Sequence, residues 1–78
     1  MDKLTLTKMK SGQKGTVAEV KGGQGARKRL DSLGIRAGSK ITKVGSQLMR
    51  GPVTIALGNS KVAIGFGMAS KIVVDLKK

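Results

Sequence analysis

The chain has 78 residues, of which 38% are hydrophobic and only one, Phe66, is aromatic. Lysine and arginine number 16 against 4 acidic residues, a formal net charge of +12, and cysteine and histidine are both absent. These counts exclude a disulfide framework, thiol chemistry, an imidazole base and a Cys/His metal site. A chain of this length buries a small core, so we expect one domain over residues 1–78 with mainly aliphatic packing.

The first part of the chain predicts a short apolar segment followed by a strand. Leu4, Leu6 and Met9 lie between lysines, and this spacing fits either the end of a strand or a single turn. Residues 14–21 then predict the first clear strand. The chain shows neither the apolar region of a signal peptide nor a run long enough to cross a bilayer, so we expect a cytoplasmic protein.

A glycine-rich stretch at residues 22–25 joins this strand to the next element. Backbone N–H groups of such a loop can bind a phosphate at a helix N-terminus. The stretch has neither a Gly-Lys-Ser/Thr ending nor a Gly-x-Gly-x-x-Gly pattern. We therefore interpret it as a tight connection from strand to helix that needs a positive φ.

Residues 26–38 predict the one α-helix with both ends marked. Ala26, Leu30 and Leu33 are spaced i, i+4 and i+7, so we expect all three on one buried stripe. Gly34 is placed where a helix end favours positive φ, and Ile35 can then fold back onto the stripe.

Three cations, Arg27, Lys28 and Arg29, lie in the first turn of this helix, where the macrodipole disfavours positive charge. One interpretation is that they are simply solvated charges of a basic protein. The other is that they face a negatively charged partner. The sequence alone leaves both open.

The rest of the chain predicts short strands. Residues 39–44 predict a strand with either a bulge or a strong bend, residues 45–52 the longest loop, residues 53–57 and 61–65 a hairpin, and residues 71–76 a closing strand. The fold predicted is mainly β: a small five-stranded SH3-like barrel with one short α-helix after the first strand and a helical turn before the last strand.

The four acidic residues argue against catalysis and metal binding, because Asp2, Glu19, Asp31 and Asp75 belong to four separate elements. A paired-carboxylate site or an oxygen-ligand cage would need them to converge. We therefore expect no enzyme activity, no cofactor and no metal site.

The net charge predicts an anionic partner: nucleic acid, an acidic membrane surface or an acidic face of another protein. With one aromatic residue, nucleic acid would have to be bound through its phosphates rather than by base stacking. Leu48 and Met49 are apolar residues in the longest loop, which is a signal of partner binding.

Several blocks in order resemble the FeoA family. Residues 27–38 match its R-x-R-L-x-x-L-G-[IL]-x-P-G pattern, residues 51–55 match its Gly-Pro loop entering a strand, and residues 69–74 match its closing A-x-x-I-x-V strand. The matching positions are Arg27, Arg29, Leu30, Leu33, Gly34, Ile35, Gly38, Gly51, Pro52, Ala69, Ile72 and Val74. Two positions depart from the family: Ala37 replaces a proline, and Gly65 stands where an arginine is common.

The resemblance implies an SH3-like cytosolic accessory of ferrous iron uptake that binds the cytoplasmic GTPase part of a FeoB-like membrane transporter, with membrane contact only through that partner. The alternative is a basic barrel that binds RNA or DNA through phosphates. Our hypothesis for the partner surface joins the helix to the longest loop: Arg27, Lys28, Arg29, Arg36, Leu48, Met49, Arg50, Gly51 and Pro52.

Overall fold

The computed structural model describes residues 3–46 and 51–76, without the side chain of Ser46. Its elements follow the chain as β1 (Lys3–Thr5), a 3₁₀ turn (Leu6–Lys8), β2 (Lys14–Val20), α1 (Gln24–Ser32), β3 (Lys40–Ser46), β4 (Val53–Leu57), β5 (Ser60–Ile64), α2 (Phe66–Ala69) and β6 (Ile72–Asp75). The mainly β class is confirmed, as are a helix after the 14–21 strand and a helical turn before the last strand.

The strand count and the closed barrel were wrong. The described strands form one antiparallel sheet of six strands in the order β1-β6-β2-β3-β4-β5, and the sheet is not closed. The additional strand is β1, which has three residues and is too short to show a period-two pattern in sequence. Because β1 pairs with β6 and β5 pairs with β4, the described sheet has two edges where the prediction had none.

Two irregularities in the sheet bend it around the core. The register shifts between Val17 and Glu19 in β2 and between Lys43 and Gly45 in β3, so of the two alternatives predicted for the latter strand the bulge is confirmed. A bulge adds a residue to one strand and turns the following side chains. The buried core consists of Leu6, Met9, Val17, Val20, Leu30, Ile35, Ile41, Val53, Ile55, Ile64, Ala69, Ile72 and Val74.

The C-terminal end of α1 is a Schellman motif. Gly34 has φ +90°, its N–H donates to the carbonyl of Asp31 at 2.9 Å, and the N–H of Ile35 donates to the carbonyl of Leu30 at 2.9 Å. The chain then returns to the core, because Leu30 and Ile35 are both buried. The predictions for Gly34 and Ile35 are confirmed.

The prediction that Leu33 lies on the buried stripe of the helix was wrong. Leu33 is the C-cap residue of α1, and 42% of its surface is exposed. The helix ends at Ser32, so the 3.6-residue repeat that would have turned Leu33 inward stops one residue before it. Leu30 is the buried residue of α1.

The connection before α1 is a turn with positive φ at Gly22, as predicted (φ +100°). Lys71 lies against it, since its Cδ is 3.2 Å from where a Cβ of Gly22 would be. The hairpin is also confirmed, with a turn one residue shorter than predicted, because Leu57 pairs directly with Ser60.

Candidate functional site

The strongest candidate site is a cavity of about 450 Å³ between β2, α1 and the segment that follows α1. We call it the α1 cleft. Its lining residues are Ala18, Glu19, Val20, Arg27, Lys28, Asp31, Ile35, Arg36 and Ala37. Aliphatic side chains therefore lie beside three cations and two carboxylates.

The shape of the α1 cleft follows from the bulge in β2 and the ending of α1. The bulge at Ala18 lets Glu19 stay exposed while Val20 returns to the buried side. On the opposite wall, the Schellman motif turns Ile35 toward the core. The cleft is therefore lined by two buried aliphatic residues, Val20 and Ile35, together with charged residues and two alanines.

Arg27 fastens the first turn of α1 to β2. Its Nε donates to the carbonyl oxygen of Val20 at 3.2 Å. No described side chain caps this helix N-terminus, and its first turn contains no acidic residue. The arginine in this electrostatically disfavoured place therefore has a structural partner, which neither of the two interpretations of the sequence had included.

At the other end of α1 the cleft has an ion pair between Arg36 Nε and Asp31 Oδ1 at 3.4 Å. Both side chains are more than half exposed, 66% and 57%. An ion pair this exposed contributes at most about 1 kcal/mol to stability, so it can open at low cost. A partner with a carboxylate of its own can take the place of Asp31 on the guanidinium.

The structure brings together part of the predicted partner surface. Arg27, Lys28 and Arg36 line the α1 cleft. The prediction that Arg29 lies in the first turn of the helix was wrong: α1 begins at Gln24, so Arg29 is in its last turn, where it is exposed and does not line the cleft.

The loop members of that surface lie elsewhere or are not described. Gly51 and Pro52 immediately precede β4, whereas the other end of that strand approaches α1: Leu57 Cδ1 is 3.8 Å from where a Cβ of Gly34 would be. Leu48, Met49 and Arg50 lie outside the described residues, so their part in the surface stays a prediction.

The acidic side of the cleft was not predicted from the sequence. Glu19 and Asp31 had been treated as dispersed acids, yet both line the same cavity. The position of Asp31 beside these arginines could have been predicted, because it is four residues after Arg27 and five residues before Arg36, near the end of the helix. The position of Glu19 depends on the bulge in β2, and no residue type in that strand predicts a bulge.

A second unpredicted feature is the buried Lys43 on β3. The residue is 3% exposed, and its Nζ donates to the carbonyls of Met9 at 2.6 Å and Thr7 at 3.3 Å. Burial lowers the pKa of Lys43 below its usual 10.5. Alternation from Ile41, which is buried, would have placed Lys43 on the inner side. Its contacts give it a structural task away from the α1 cleft.

Over residues 3–46 and 51–76 we find no group of three or more His, Cys, Asp or Glu side chains placed to hold a metal ion. Within the same residues, no helix has the length and apolar character needed to span a membrane.

The family model described as FeoA domain matches residues 4–76. A relative from Methanocaldococcus jannaschii, named "Putative Fe(2+) transport protein A", is 42% identical over 66 residues, which cover 85% of this chain and 78% of the relative.

Solved structures share the fold. The crystal structure of an iron uptake regulatory protein (FeoA) is 35% identical, with a TM-score of 0.85 over 95% of this chain and 96% of its own. A manganese-dependent transcriptional repressor has a TM-score of 0.87 over 95% of this chain and 41% of its own. At 23% identity, this second likeness shows a shared fold alone.

Proposed function

Since this chain belongs to the FeoA family, we propose that it is a non-enzymatic accessory of ferrous iron uptake in the cytoplasm. It acts by binding the cytoplasmic GTPase part of a FeoB-like iron transporter through the α1 cleft. The names of its relatives, an Fe(2+) transport protein A and an iron uptake regulatory protein, support the link to ferrous iron.

The α1 cleft is the observation that carries the binding role. It is lined by buried aliphatic residues and by the exposed cations Arg27, Lys28 and Arg36. Apolar contacts at the centre of an interface supply most of the binding energy, whereas charges at the rim set the encounter rate and the specificity. The net charge of +12 favours an acidic face on the partner.

The arginines of the cleft suit a carboxylate-bearing partner. A guanidinium presents several donors in a planar fork that matches a carboxylate. Arg36 already forms such an ion pair with the carboxylate of Asp31. The partner segment we expect has a small or aliphatic side chain for the aliphatic lining of the cleft, flanked by aspartate or glutamate.

The role assigned here requires no resident iron. We expect no stoichiometric site for Fe²⁺ tighter than about micromolar, as the described acidic residues do not gather into a ligand set. Anaerobic titration calorimetry with ferrous iron checks this expectation, and a saturable site of higher affinity would contradict it.

Binding kinetics with the soluble GTPase domain of the transporter test the proposal. We expect Arg27→Glu with Lys28→Glu to slow association, because it reverses two charges that line the α1 cleft. The matched control is Lys8→Glu with Lys10→Glu, which changes the net charge equally at exposed positions that do not line the cleft.

Measurements at two salt concentrations separate steering by the whole protein from contact at the cleft. The proposal fails if the cleft variant and the control bind alike, or if the parent protein does not bind the domain. Leu48→Ala with Met49→Ala, chosen from the sequence, is expected to hasten dissociation with little effect on association.

A further inference from the structure

A second basic region lies on the outer face of the sheet. The register joins four residues of β2, β3, β4 and β5 in one row, because Lys14 is opposite Thr42, Thr42 opposite Ala56, and Ala56 opposite Lys61. Residues opposite each other in a sheet point to the same side. Lys14 and Lys61 are exposed, so this row ends in a cation on each side.

A third exposed lysine lies beside this row, on the same side of the sheet. Lys40 is opposite Thr16, which makes it a diagonal neighbour of Lys14, at about 7–8 Å. We call Lys14, Lys40 and Lys61, with the small residues between them, the lysine face.

The lysine face contains a shallow cavity of about 370 Å³. Its lining residues are Lys14, Gly15, Lys40, Ile41, Thr42, Ala56 and Gly58. Two ammonium groups and a hydroxyl are hydrogen-bond donors suited to phosphate, and Gly58 has open space where a side chain would be.

This cavity differs from two others on the described surface in having no acidic lining residue. The α1 cleft is lined by Glu19 and Asp31, and a third cavity is lined by Asp75 as well as Lys3. Among the described residues, Lys14, Lys40 and Lys61 form no ion pair with a carboxylate within 4.0 Å. Within residues 3–46 and 51–76, no carboxylate therefore competes with an external anion for these three lysines.

We propose that the lysine face binds the phosphate groups of an anionic lipid bilayer. It would bring this protein to the membrane directly, in contrast to the sequence-based expectation of contact only through a partner. The inference uses a surface other than the α1 cleft and does not depend on the proposed function.

Three observations favour a lipid surface over nucleic acid. The three cations of the face are lysines, which act as point charges toward scattered headgroups, whereas the arginines among the described residues lie on or just after α1. The only aromatic residue, Phe66, belongs to α2 and not to this face, so bases have no ring to stack on. The face also lies across neighbouring strands of a sheet, whereas double-stranded DNA is usually read by an element that enters a groove.

Vesicle binding with the intact chain tests the inference. We expect the protein to sediment with phosphatidylcholine vesicles that contain about one third phosphatidylglycerol, and not with pure phosphatidylcholine. Each lysine near an anionic surface contributes roughly a fivefold change in affinity, so Lys14→Gln with Lys40→Gln should weaken binding by about 25-fold.

The matched control is Lys21→Gln with Lys71→Gln. It removes the same two charges at the other end of β2, where the N–H of Lys21 donates to the carbonyl of Lys71 at 2.7 Å. We expect this control to stay within about fivefold of the parent, since its lysines act only through the diffuse field. Equal losses in the two variants would mean that net charge alone attracts the protein, and the assignment of the face would be overturned.

Two competitors distinguish the possible sources of phosphate. Inorganic phosphate should reduce vesicle binding no more than chloride of equal ionic strength, and a larger effect would indicate a site for free phosphate instead. A single-stranded oligouridylate that binds more tightly than the vesicles, and loses affinity with Lys14→Gln and Lys40→Gln, would also overturn the proposal. Thermal unfolding of both variants should match the parent, and a loss of vesicle binding with the native fold retained supports the face.

Discussion

The C-terminal end of α1 and the first connection of the chain, by which we mean residues 6–13 with the 3₁₀ turn, satisfy their backbone carbonyls by different means. Both contain a helical turn that ends against the core and leaves backbone carbonyls without intrahelical partners. At the end of α1 the solution is local, because Gly34 takes φ +90° and the N–H groups of Gly34 and Ile35 donate back to carbonyls of the helix. At the end of the 3₁₀ turn the solution is remote, because the ammonium of Lys43 reaches Thr7 and Met9 from β3.

The difference decides how each region responds to change. The Schellman motif needs only adjacent residues, so it forms as α1 forms. The first connection depends on a contact 34–36 positions along the chain, and two backbone hydrogen bonds reinforce it: Gly12 N–H to Lys43 O at 2.7 Å and Lys43 N–H to Gln13 O at 2.9 Å. We therefore expect the first connection to loosen as soon as β3 is disturbed, whereas α1 depends on its own packing.

The largest effect should come from the apolar anchor of α1. Leu30 is 1% exposed, so Leu30→Ala should lower the free energy of unfolding by about 2–5 kcal/mol. Leu33→Ala removes the same atoms from a residue that is 42% exposed, and we expect a loss below about 1 kcal/mol. Chemical denaturation of the pair measures the difference. Similar losses would show that α1 packs through both leucines.

Next in size is the local cap. Gly34→Val should cost about 2–3 kcal/mol, because a β-branched residue is strained at φ +90°. Gly25→Ala is the matched control: it lies in α1, has no atom within 4 Å of its new Cβ, and should stabilise by up to about 1 kcal/mol. Thermal unfolding should move in opposite directions for the two variants, and a neutral Gly34→Val would contradict the role of the cap.

These two regions also show which parts of the fold the sequence reveals. Gly34, Ile35 and the hairpin follow local rules of spacing and turn chemistry, and all were predicted. Leu33 was misplaced because the helix stops one residue before it, which is a boundary error that the repeat cannot detect. Strand β1 was missed because three residues carry no period, and its pairing with β6 links opposite ends of the chain.

The candidate site was predicted in part for the same reason. Three cations of the α1 cleft lie on or just after one helix, so they could be found from the sequence. Glu19 reaches the cleft through a bulge, and the row from Lys14 to Lys61 exists only through the registers of four strands. Register depends on how the strands pair in the folded protein, so the sequence around a lysine in a basic chain does not show which row of the sheet the lysine belongs to.

The remote cap is the third test. Lys43→Met keeps an unbranched side chain and removes the donor from two carbonyls, so we expect a loss of about 1–2 kcal/mol at neutral pH. Lys40→Met, at an exposed position of the same strand, is the control and should change stability by less than about 0.5 kcal/mol. Hydrogen exchange should speed up in residues 6–13 in the first variant, and unchanged exchange there would contradict the cap.

The same residue predicts a pH dependence. Because burial lowers the pKa of Lys43 below 10.5, the unfolded chain holds this proton at pH values where the folded chain releases it. Stability therefore rises with pH between the lowered pKa and 10.5. The stability of the parent minus that of Lys43→Met isolates this group from the other lysines. It should grow as pH increases toward 10.5, and a difference that shrinks would reverse the sign of the pKa shift.

The smallest effect concerns Arg27, the other cation that donates to a backbone carbonyl. Its bond to Val20 spans seven positions and is partly buried. Arg27→Met loses one hydrogen bond, about 0.5–1.5 kcal/mol, and relieves a cation at the helix N-terminus, which returns about 0.3–1 kcal/mol. The net loss should therefore stay below about 1 kcal/mol in urea denaturation, smaller than that of Lys43→Met. A larger loss would mean that Arg27 anchors α1 as firmly as Lys43 holds the 3₁₀ turn, and slower association of an Arg27 variant would then reflect a displaced helix rather than a lost contact.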